Sequence, residues 1–278
     1  MTTIAVTGVT GALGGLVTHV LATDLRTDLR LLARDATRAP DIDTDVRECS
    51  YDDAAASRAA LSGVEVLFMV SASESADRRA QHRSFVSAAA DAGVRHVVYT
   101  SFAGAAPDAT FTLGRDHADA EEAIRASGMG FTFLRDNFYA DVLPSFADES
   151  GTIRGPAGDG RVAAVARADV ADCAATVLRD PDEHAGTTYT LTGPEGLTLT
   201  EVAARAGAVL GRELRFEDET EEAAYAWRRA RYGAAPWQLD AWVSTYTAIR
   251  DGAVGEVTGD VERITGRPPR TLEDALRS

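Results

Sequence analysis

Three glycines near the start of the chain have the spacing that lets a backbone loop hold a phosphate. Gly8, Gly11 and Gly14 lie between a short apolar segment and a segment with apolar residues at helical spacing. In such a loop the first glycine allows a tight turn, the second lets the main chain approach a pyrophosphate, and the third lets helix and strand pack closely. Amide groups at the helix start then face the phosphates. The sequence therefore predicts a dinucleotide site on Gly8, Val9, Thr10, Gly11, Ala12, Leu13 and Gly14; the alternative is a glycine-rich turn without a ligand.

The end of the second predicted strand indicates which dinucleotide is bound. Arg34 follows the apolar residues Leu31, Leu32 and Ala33. An arginine at this place pairs with the 2′-phosphate of NADP, whereas an acidic residue accepts hydrogen bonds from the ribose 2′-OH of NAD. Arg34 therefore favours NADP(H). The neighbouring Asp35 leaves two roles open, since it can accept from a ribose hydroxyl or cap the next helix.

Short polar segments follow three further predicted strands, where a cofactor would pass. Each segment alone is also compatible with an ordinary strand-to-loop transition, but together they match the needs of a cofactor groove. The candidate contacts are Asp52 for the adenine amino group, Ser71, Ala72 and Ser73 for the ribose and pyrophosphate, and Thr100.

The elements that must position these residues alternate between strand and helix. Apolar runs and turn signals predict strands over 3–6, 28–33, 45–48, 64–70, 94–100 and 130–134, and helices over 11–22, 53–61, 76–92 and 117–126. The alternation predicts an α/β fold, a Rossmann-type doubly wound parallel sheet with a small C-terminal α/β lobe. We expect residues 1–150 to form the NADP-binding core, residues 165–192 to return to it, and residues 193–278 to form mainly a substrate-binding lobe.

The charge and composition of the chain argue against several classes of protein. The net charge of −15 and the scattered arginines argue against nucleic-acid binding. No apolar run reaches the roughly 18–20 residues that a membrane helix needs, and we expect no signal peptide. The cysteines, Cys49 and Cys173, have no metal-ligand spacing, so we expect buried free thiols, no metal site and a cytoplasmic protein.

The chain contains no lysine, since all 28 basic residues are arginine. Ordinary short-chain dehydrogenases use a Tyr-x-x-x-Lys pair, in which lysine lowers the pKa of the tyrosine. That pair is impossible here. His117 falls where the lysine would be and Leu113 where the tyrosine would be. His117 is a candidate for contacting the ribose or supplying a proton; the alternative is a helix residue bonded to neighbouring backbone.

Several motifs recur in the order of a known family. They are Thr7-Gly-Val-Thr-Gly-Ala-Leu-Gly14, Arg34, Ser71-Ala-Ser-Glu74, Gln81-His82-Arg83, Tyr99-Thr-Ser101, His117-x-x-x-Glu121 and Leu134-Arg135, with Gly158-Asp-Gly160, Arg167-Ala-Asp169 and Gly266-Arg-Pro268 later in the chain. The sequence thus resembles the atypical short-chain dehydrogenases of the NmrA-like group, above all the bacterial type-2 NAD(P)H:quinone oxidoreductases and, near them, the triphenylmethane reductases.

The resemblance implies an NADPH site on 8–13, Arg34, 71–73, the loop 136–141 and Arg167, and a planar acceptor between the sheet and the C-terminal lobe. This loop brings Asp136, Asn137 and Phe138 into the expected cofactor site. Relatives commonly carry Asn after the Leu-Arg pair, whereas this chain has Asp136. An extra carboxylate there can alter substrate preference.

Aromatic residues are candidates for contacting the acceptor. Phe138 and Tyr139 can stack on a flat substrate, and Tyr139 is also a candidate catalytic residue; the alternative is core packing. Trp227 can line the acceptor site or belong to the core of the C-terminal lobe. We expect an NADPH-dependent reductase of a quinone or related aromatic acceptor, with two alternatives: a non-catalytic NADP(H)-binding redox sensor, and a biosynthetic tailoring reductase. A homodimer is compatible with the sequence.

Overall fold

The fold is built on seven strands joined by helices, and the computed structural model describes residues 2–23 and 28–277. The strands of the main sheet are β1 (Thr3–Thr7), β2 (Asp28–Ala33), β3 (Asp45–Glu48), β4 (Val66–Met69), β5 (His96–Phe102), β6 (Gly130–Asp136) and β9 (Thr187–Leu191), in the order β3-β2-β1-β4-β5-β6-β9. The register between β3, β2, β1, β4 and β5 is parallel throughout. Every residue of β4 and β5 is buried, because helices cover both faces of a doubly wound sheet.

The helices that connect these strands are α1 (Ala12–Ala22), α2 (Ala54–Ala60), α3 (Arg78–Asp91), α4 (Thr112–Ala126) and α5 (Arg167–Arg179). Asp53 caps α2 by accepting from the Ala56 amide. The remaining elements are β7 (Thr152–Gly155), β8 (Arg161–Val162), β10 (Leu197–Thr198), α6 (Leu199–Leu210), β11 (Arg215–Asp218), α7 (Glu221–Tyr232), α8 (Pro236–Arg250), α9 (Asp260–Thr265) and α10 (Leu272–Arg277). Strands β10 and β8 pair antiparallel, and β11 and β7 pair parallel.

Contacts divide the chain into two units, each with its own core. The first unit comprises 1–101, 116–135 and 170–189, and its core contains Leu67, Phe85 and Tyr99. The second unit comprises 102–115, 136–169 and 190–278, and its core contains Phe102 and Ile153. The sequence predicted one core over residues 1–150, whereas the contacts assign residues 102–115 and 136–150 to the second unit. The assignment of cofactor and substrate binding to separate parts of the chain stays a prediction.

The predicted fold class is confirmed, and all six strands expected before residue 135 are present. One helix boundary was wrong: α4 begins at Thr112 rather than at His117. Gly114 in its first turn hides the helical pattern in the sequence. Strand β11 begins only at Arg215, because Gly211 ends α6 in the left-handed conformation and the Arg212 amide donates back to the Gly207 carbonyl.

Candidate functional site

The glycine loop joins β1 to α1 and has little room for side chains. Gly8 has a φ of +65°, and its carbonyl accepts from the Gly11 amide at 2.9 Å. A Cβ atom on Gly14 would lie 2.2 Å from the Gly8 carbonyl oxygen, so only glycine fits there. Val9 and Leu13 are buried and anchor the loop, whereas Gly8, Thr10, Gly11 and Ala12 are exposed.

The start of α1 keeps its amide groups available for an anion. Gly11 stands at the N-cap position and provides no side-chain cap, and the first turn contains no acidic residue. Four amides at a helix start have no partner within the helix, and they carry the positive end of its dipole. The exposed backbone of the loop can therefore receive a phosphate.

Arg34 and Asp35 follow β2, and the structure separates their roles. The Asp35 carboxylate accepts from the Thr37 amide at 3.0 Å and from the Thr37 hydroxyl at 2.6 Å. These bonds lower the pKa of Asp35, and they show that it caps the short helix that follows. The Arg34 side chain is exposed, and no carboxylate in the described ranges pairs with it. Its guanidinium is thus available for an external anion.

The segment after β4 is held at consecutive backbone groups. The Ser71 amide donates to the Thr100 hydroxyl at 2.8 Å, and the Ala72 amide donates to Nε2 of His82 at 2.8 Å. Nε of Arg78 donates to the Ala72 carbonyl, also at 2.8 Å. Thr100, predicted as a cofactor contact, is buried and positions this segment. Any contact of Thr100 with a cofactor stays a prediction.

Two other predicted contacts are open to solvent. Ser73 lies at the end of the same segment, and Asp52 lies in the turn between β3 and α2; both are exposed. The neighbouring Tyr51 is instead bonded inward, its hydroxyl 2.8 Å from that of Thr7 and 2.6 Å from the Val70 carbonyl oxygen. The structure leaves Ser73 and Asp52 accessible to a ligand, as their predicted roles require.

His117 lies in α4 with both ring nitrogens close to protein partners. Nδ1 lies 3.0 Å from the Tyr99 hydroxyl, and Nε2 lies 3.1 Å from a guanidinium nitrogen of Arg78. Burial, reinforced by the Arg78 charge, holds the pKa of His117 well below its ordinary value. A neutral, doubly bonded imidazole favours the structural alternative, so His117 is better suited to positioning Arg78 than to supplying a proton.

Asp136, the last residue of β6, forms a pair with Tyr139. The Tyr139 hydroxyl donates to Oδ2 of Asp136 at 2.8 Å, and Oδ1 of Asp136 has no partner within the described residues. Burial raises the pKa of Asp136 to about 8. Arg167 forms an ion pair with Asp141, and its guanidinium carbon lies 6.0 Å from the centre of the Tyr139 ring. Cofactor contacts of Asp136 and Arg167 stay predictions.

Asn137 and Phe138 are both engaged within the second unit. Nδ2 of Asn137 donates to the Val254 carbonyl at 2.9 Å, and its Oδ1 accepts from the Phe138 amide at 2.8 Å. The Phe138 ring packs against Phe102 and Phe111, with centroids 4.9 and 5.3 Å away. Phe138 is half-buried, so part of this aromatic cluster faces solvent.

Trp227 lies in α7 and contacts other aromatic residues of the lobe. Its ring meets that of Tyr232 edge-on at 5.8 Å, and Tyr232 meets Trp242 at 5.4 Å. Because Tyr232 is exposed, these contacts form a cluster at the surface of the lobe, and both readings of Trp227, substrate contact and core packing, stay predictions.

Two buried carboxylates have roles that sequence reasoning missed. Glu121 accepts from the Ser101 hydroxyl at 2.6 Å and from two nitrogens of Arg135 at 2.8 Å. Its spacing of four residues from His117 was the available signal, because such residues share one face of a helix. Asp169 accepts from the Arg270 amide at 2.7 Å and from Nη1 of Arg267 at 2.9 Å. Both carboxylates join distant segments of the chain.

Residues 2–23 and 28–277 include neither a helix that could span a membrane nor a cluster that could hold a metal ion. No helix there is long and apolar enough to cross a membrane. No group of His, Cys, Asp and Glu side chains in those ranges is arranged to hold a metal ion.

The fold and the loop define an α/β protein of the Rossmann type with a glycine-rich turn after its first strand. Residues 1–226 match the NmrA-like family, and the chain belongs to that family. This confirms the resemblance drawn from the motifs.

Three proteins are similar to this chain over nearly its whole length. Quinone oxidoreductase 2 of Escherichia coli is 31% identical over 98% of this chain and 97% of its own, and its crystal structure complexed with NADPH has a TM-score of 0.88 over 99% of this chain and 98% of that one. A (4-alkanoyl-5-oxo-2,5-dihydrofuran-3-yl)methyl phosphate reductase of Streptomyces griseus is 37% identical over 98% and 95%. The Citrobacter triphenylmethane reductase complexed with NADP(H) is 29% identical, with a TM-score of 0.84 over 99% of both chains.

Proposed function

We propose that this protein is an NAD(P)H-dependent oxidoreductase that uses NADP(H) to reduce a quinone or a related conjugated acceptor. The observation that carries the proposal is the glycine loop, whose exposed backbone and uncapped helix start can receive a pyrophosphate. The similar proteins support it, since they include a quinone oxidoreductase and a triphenylmethane reductase with bound NADPH or NADP(H).

The described residues fit such a cofactor. A Cβ on Gly14 would occupy the space of the Gly8 carbonyl, which keeps the loop tight. Backbone amides of 8–13 would hold the pyrophosphate, and the unpaired Arg34 would hold the 2′-phosphate. The segment 71–73, fixed by His82 and Arg78, would follow the ribose. When bound, the nicotinamide supplies a hydride.

Two features of the chain support this class of reaction. Without lysine, the Tyr–Lys pair of alcohol dehydrogenation is impossible. A conjugated acceptor is already electrophilic, so positioning alone brings it within reach of a hydride. The cluster of Phe102, Phe111 and Phe138 provides flat apolar surface for a planar ring.

Steady-state oxidation of NADPH with a panel of acceptors tests the proposed activity. The panel contains quinones, a conjugated lactone and a cationic triphenylmethane dye. We expect turnover with at least one class. Tight NADPH binding without turnover of any acceptor would refute the enzyme and support the alternative of a redox sensor.

Arg34→Ala tests the choice of cofactor. A charge-assisted hydrogen bond contributes about 1.5–3 kcal/mol, so NADPH should bind roughly 10- to 150-fold more weakly. NADH lacks the 2′-phosphate, and its affinity should change less than about twofold. Fluorescence titration measures both constants, and Arg58→Ala, at an exposed position of α2, is the matched control. Equal losses for the two cofactors would show that Arg34 does not contact the 2′-phosphate.

A further inference from the structure

A buried carboxyl–phenol pair lies at the end of β6. The Tyr139 hydroxyl is 2.8 Å from Oδ2 of Asp136, whose side chain is 2% exposed. Oδ1 of Asp136 is buried and has no hydrogen-bond partner among the residues that the structure describes. Tyr139 as a whole residue is half-buried, whereas Asp136 is buried.

This environment favours the neutral acid form of Asp136. An ionised carboxylate has about four acceptor sites, and only one is used here. Burying a charge with so few partners is costly, so the group keeps its proton instead. The charged groups near the pair, Arg167 and Asp141, form an ion pair with each other and offset one another. Burial accordingly raises the pKa of Asp136 to about 8.

The neutral acid changes the direction of the hydrogen bond. With its proton on Oδ2, Asp136 donates to the phenol oxygen of Tyr139, and the hydroxyl proton of Tyr139 is free to point elsewhere. Oδ1 is then a carbonyl oxygen, and an unpaired buried carbonyl is less costly than an unpaired buried donor. The neutral acid thus explains why Oδ1 of Asp136 has no hydrogen-bond partner.

We propose that Asp136 and Tyr139 form a proton relay that protonates the reduced acceptor, an inference that rests on the proposed reductase function. Transfer of a hydride to a neutral quinone gives a hydroquinone monoanion, which needs one proton. Tyr139 donates its hydroxyl proton to the acceptor oxygen and takes the proton of Asp136, which becomes a carboxylate. Water then reprotonates Asp136. In sum, the acceptor is reduced by one hydride and one proton, and the cofactor is oxidised.

The relay specifies a class of acceptor. Neutral conjugated carbonyl compounds need both a hydride and a proton, whereas a cationic triphenylmethane dye is neutralised by the hydride alone. Asp136→Asn keeps the shape and the neutral charge but removes the acidic proton. Relatives commonly carry Asn at this place, so the relay is proposed for this chain alone, and proteins with Asn take the proton from another source. The variant therefore separates acceptors that require the relay from acceptors that do not.

The test compares 2-methyl-1,4-naphthoquinone with a cationic triphenylmethane dye in Asp136→Asn and Tyr139→Phe. Loss of a general acid costs about 10²- to 10⁴-fold, so the ratio of quinone to dye turnover should fall at least about 100-fold in each. Tyr225→Phe is the control, because the Tyr225 hydroxyl likewise donates to a carboxylate, Asp240, at 3.0 Å. The ratio of quinone to dye turnover should be the same in Tyr225→Phe as in the native protein. Equal losses for both acceptors would overturn the relay and leave only a structural role.

A second measurement needs no cofactor. Infrared difference spectroscopy of the unliganded protein should show a protonated carboxyl band at pH 6 that disappears by about pH 10 and is absent in Asp136→Asn. An ionised Asp136 at pH 6 would overturn the relay even if the enzyme reduces quinones. If the native protein oxidises NADPH with no acceptor of the full panel, the reductase function fails and the relay with it, whereas the carboxyl titration remains readable.

Discussion

Gly14→Ala tests the tightness of the glycine loop. The added Cβ would lie 2.2 Å from the oxygen and 2.5 Å from the carbon of the Gly8 carbonyl, and 2.8 Å from the Thr7 oxygen. These are backbone atoms, so the loop itself must move by about 1 Å to restore ordinary contact. Overpacking of this kind costs about 1–3 kcal/mol. If the displaced loop no longer fits a pyrophosphate, that free energy corresponds to roughly 5- to 150-fold weaker NADPH binding.

The adjacent Gly15 provides a matched control in the same helix. A Cβ there would lie 3.4 Å from the Val9 carbonyl oxygen, an ordinary contact. Gly15→Ala should preserve NADPH affinity and raise the free energy of unfolding by about 0.5–1 kcal/mol through helix propensity. Fluorescence titration and urea unfolding of both variants decide the matter. Equal NADPH affinity and equal stability in the two variants would show that the loop accommodates a Cβ atom at Gly14, which would refute the prediction.

Two further predictions concern stability. The pKa of His82 is lowered by burial to about 3, so the unfolded chain binds one more proton between pH 6.5 and 3. The contribution of His82 to the free energy of unfolding is therefore fully present above pH 6.5 and falls as the pH drops. His82→Gln should reduce the slope of the unfolding free energy against pH by up to about 1.4 kcal/mol per pH unit, as measured by urea unfolding. An unchanged slope would contradict a buried neutral imidazole. Asp169→Asn removes a buried charge that Arg267 and Arg270 require. This variant should lower the free energy of unfolding by about 3–5 kcal/mol at pH 7. The control Asp159→Asn, at an exposed position, should lower it little. Equal losses in the two variants would contradict the buried ion pairs.

The sequence predicted well those features that depend on local pattern. The apolar run around Val66 and the alternation with helices predicted the sheet, because burial on both faces demands continuous apolar residues. The spacing of the glycines predicted the turn, because backbone geometry there admits no Cβ at Gly14. Arg34 was singled out because the end of β2 is a fixed place in this architecture; its exposure is observed, and its contact with a cofactor stays a prediction.

Features that depend on tertiary environment were not predictable. The sequence gives no sign that Arg78 is buried, since its burial is decided by residues far away in the chain. The role of Asp35 required the position of Thr37, which only the backbone conformation defines. The protonation of Asp136 likewise depends on how many partners surround it, and its sequence neighbours give no count of them.

The route of the chain through its two units has a consequence for engineering. Each unit consists of three segments, so the backbone crosses between them five times. The second unit is entered at Phe102, Asp136 and Thr190, which lie at or near the ends of β5, β6 and β9. No single cut releases either unit as a continuous polypeptide. A chimera that exchanges the second unit therefore needs three coordinated grafts. Each of the three segments of that unit can nevertheless change in length without a change in the strand that precedes it.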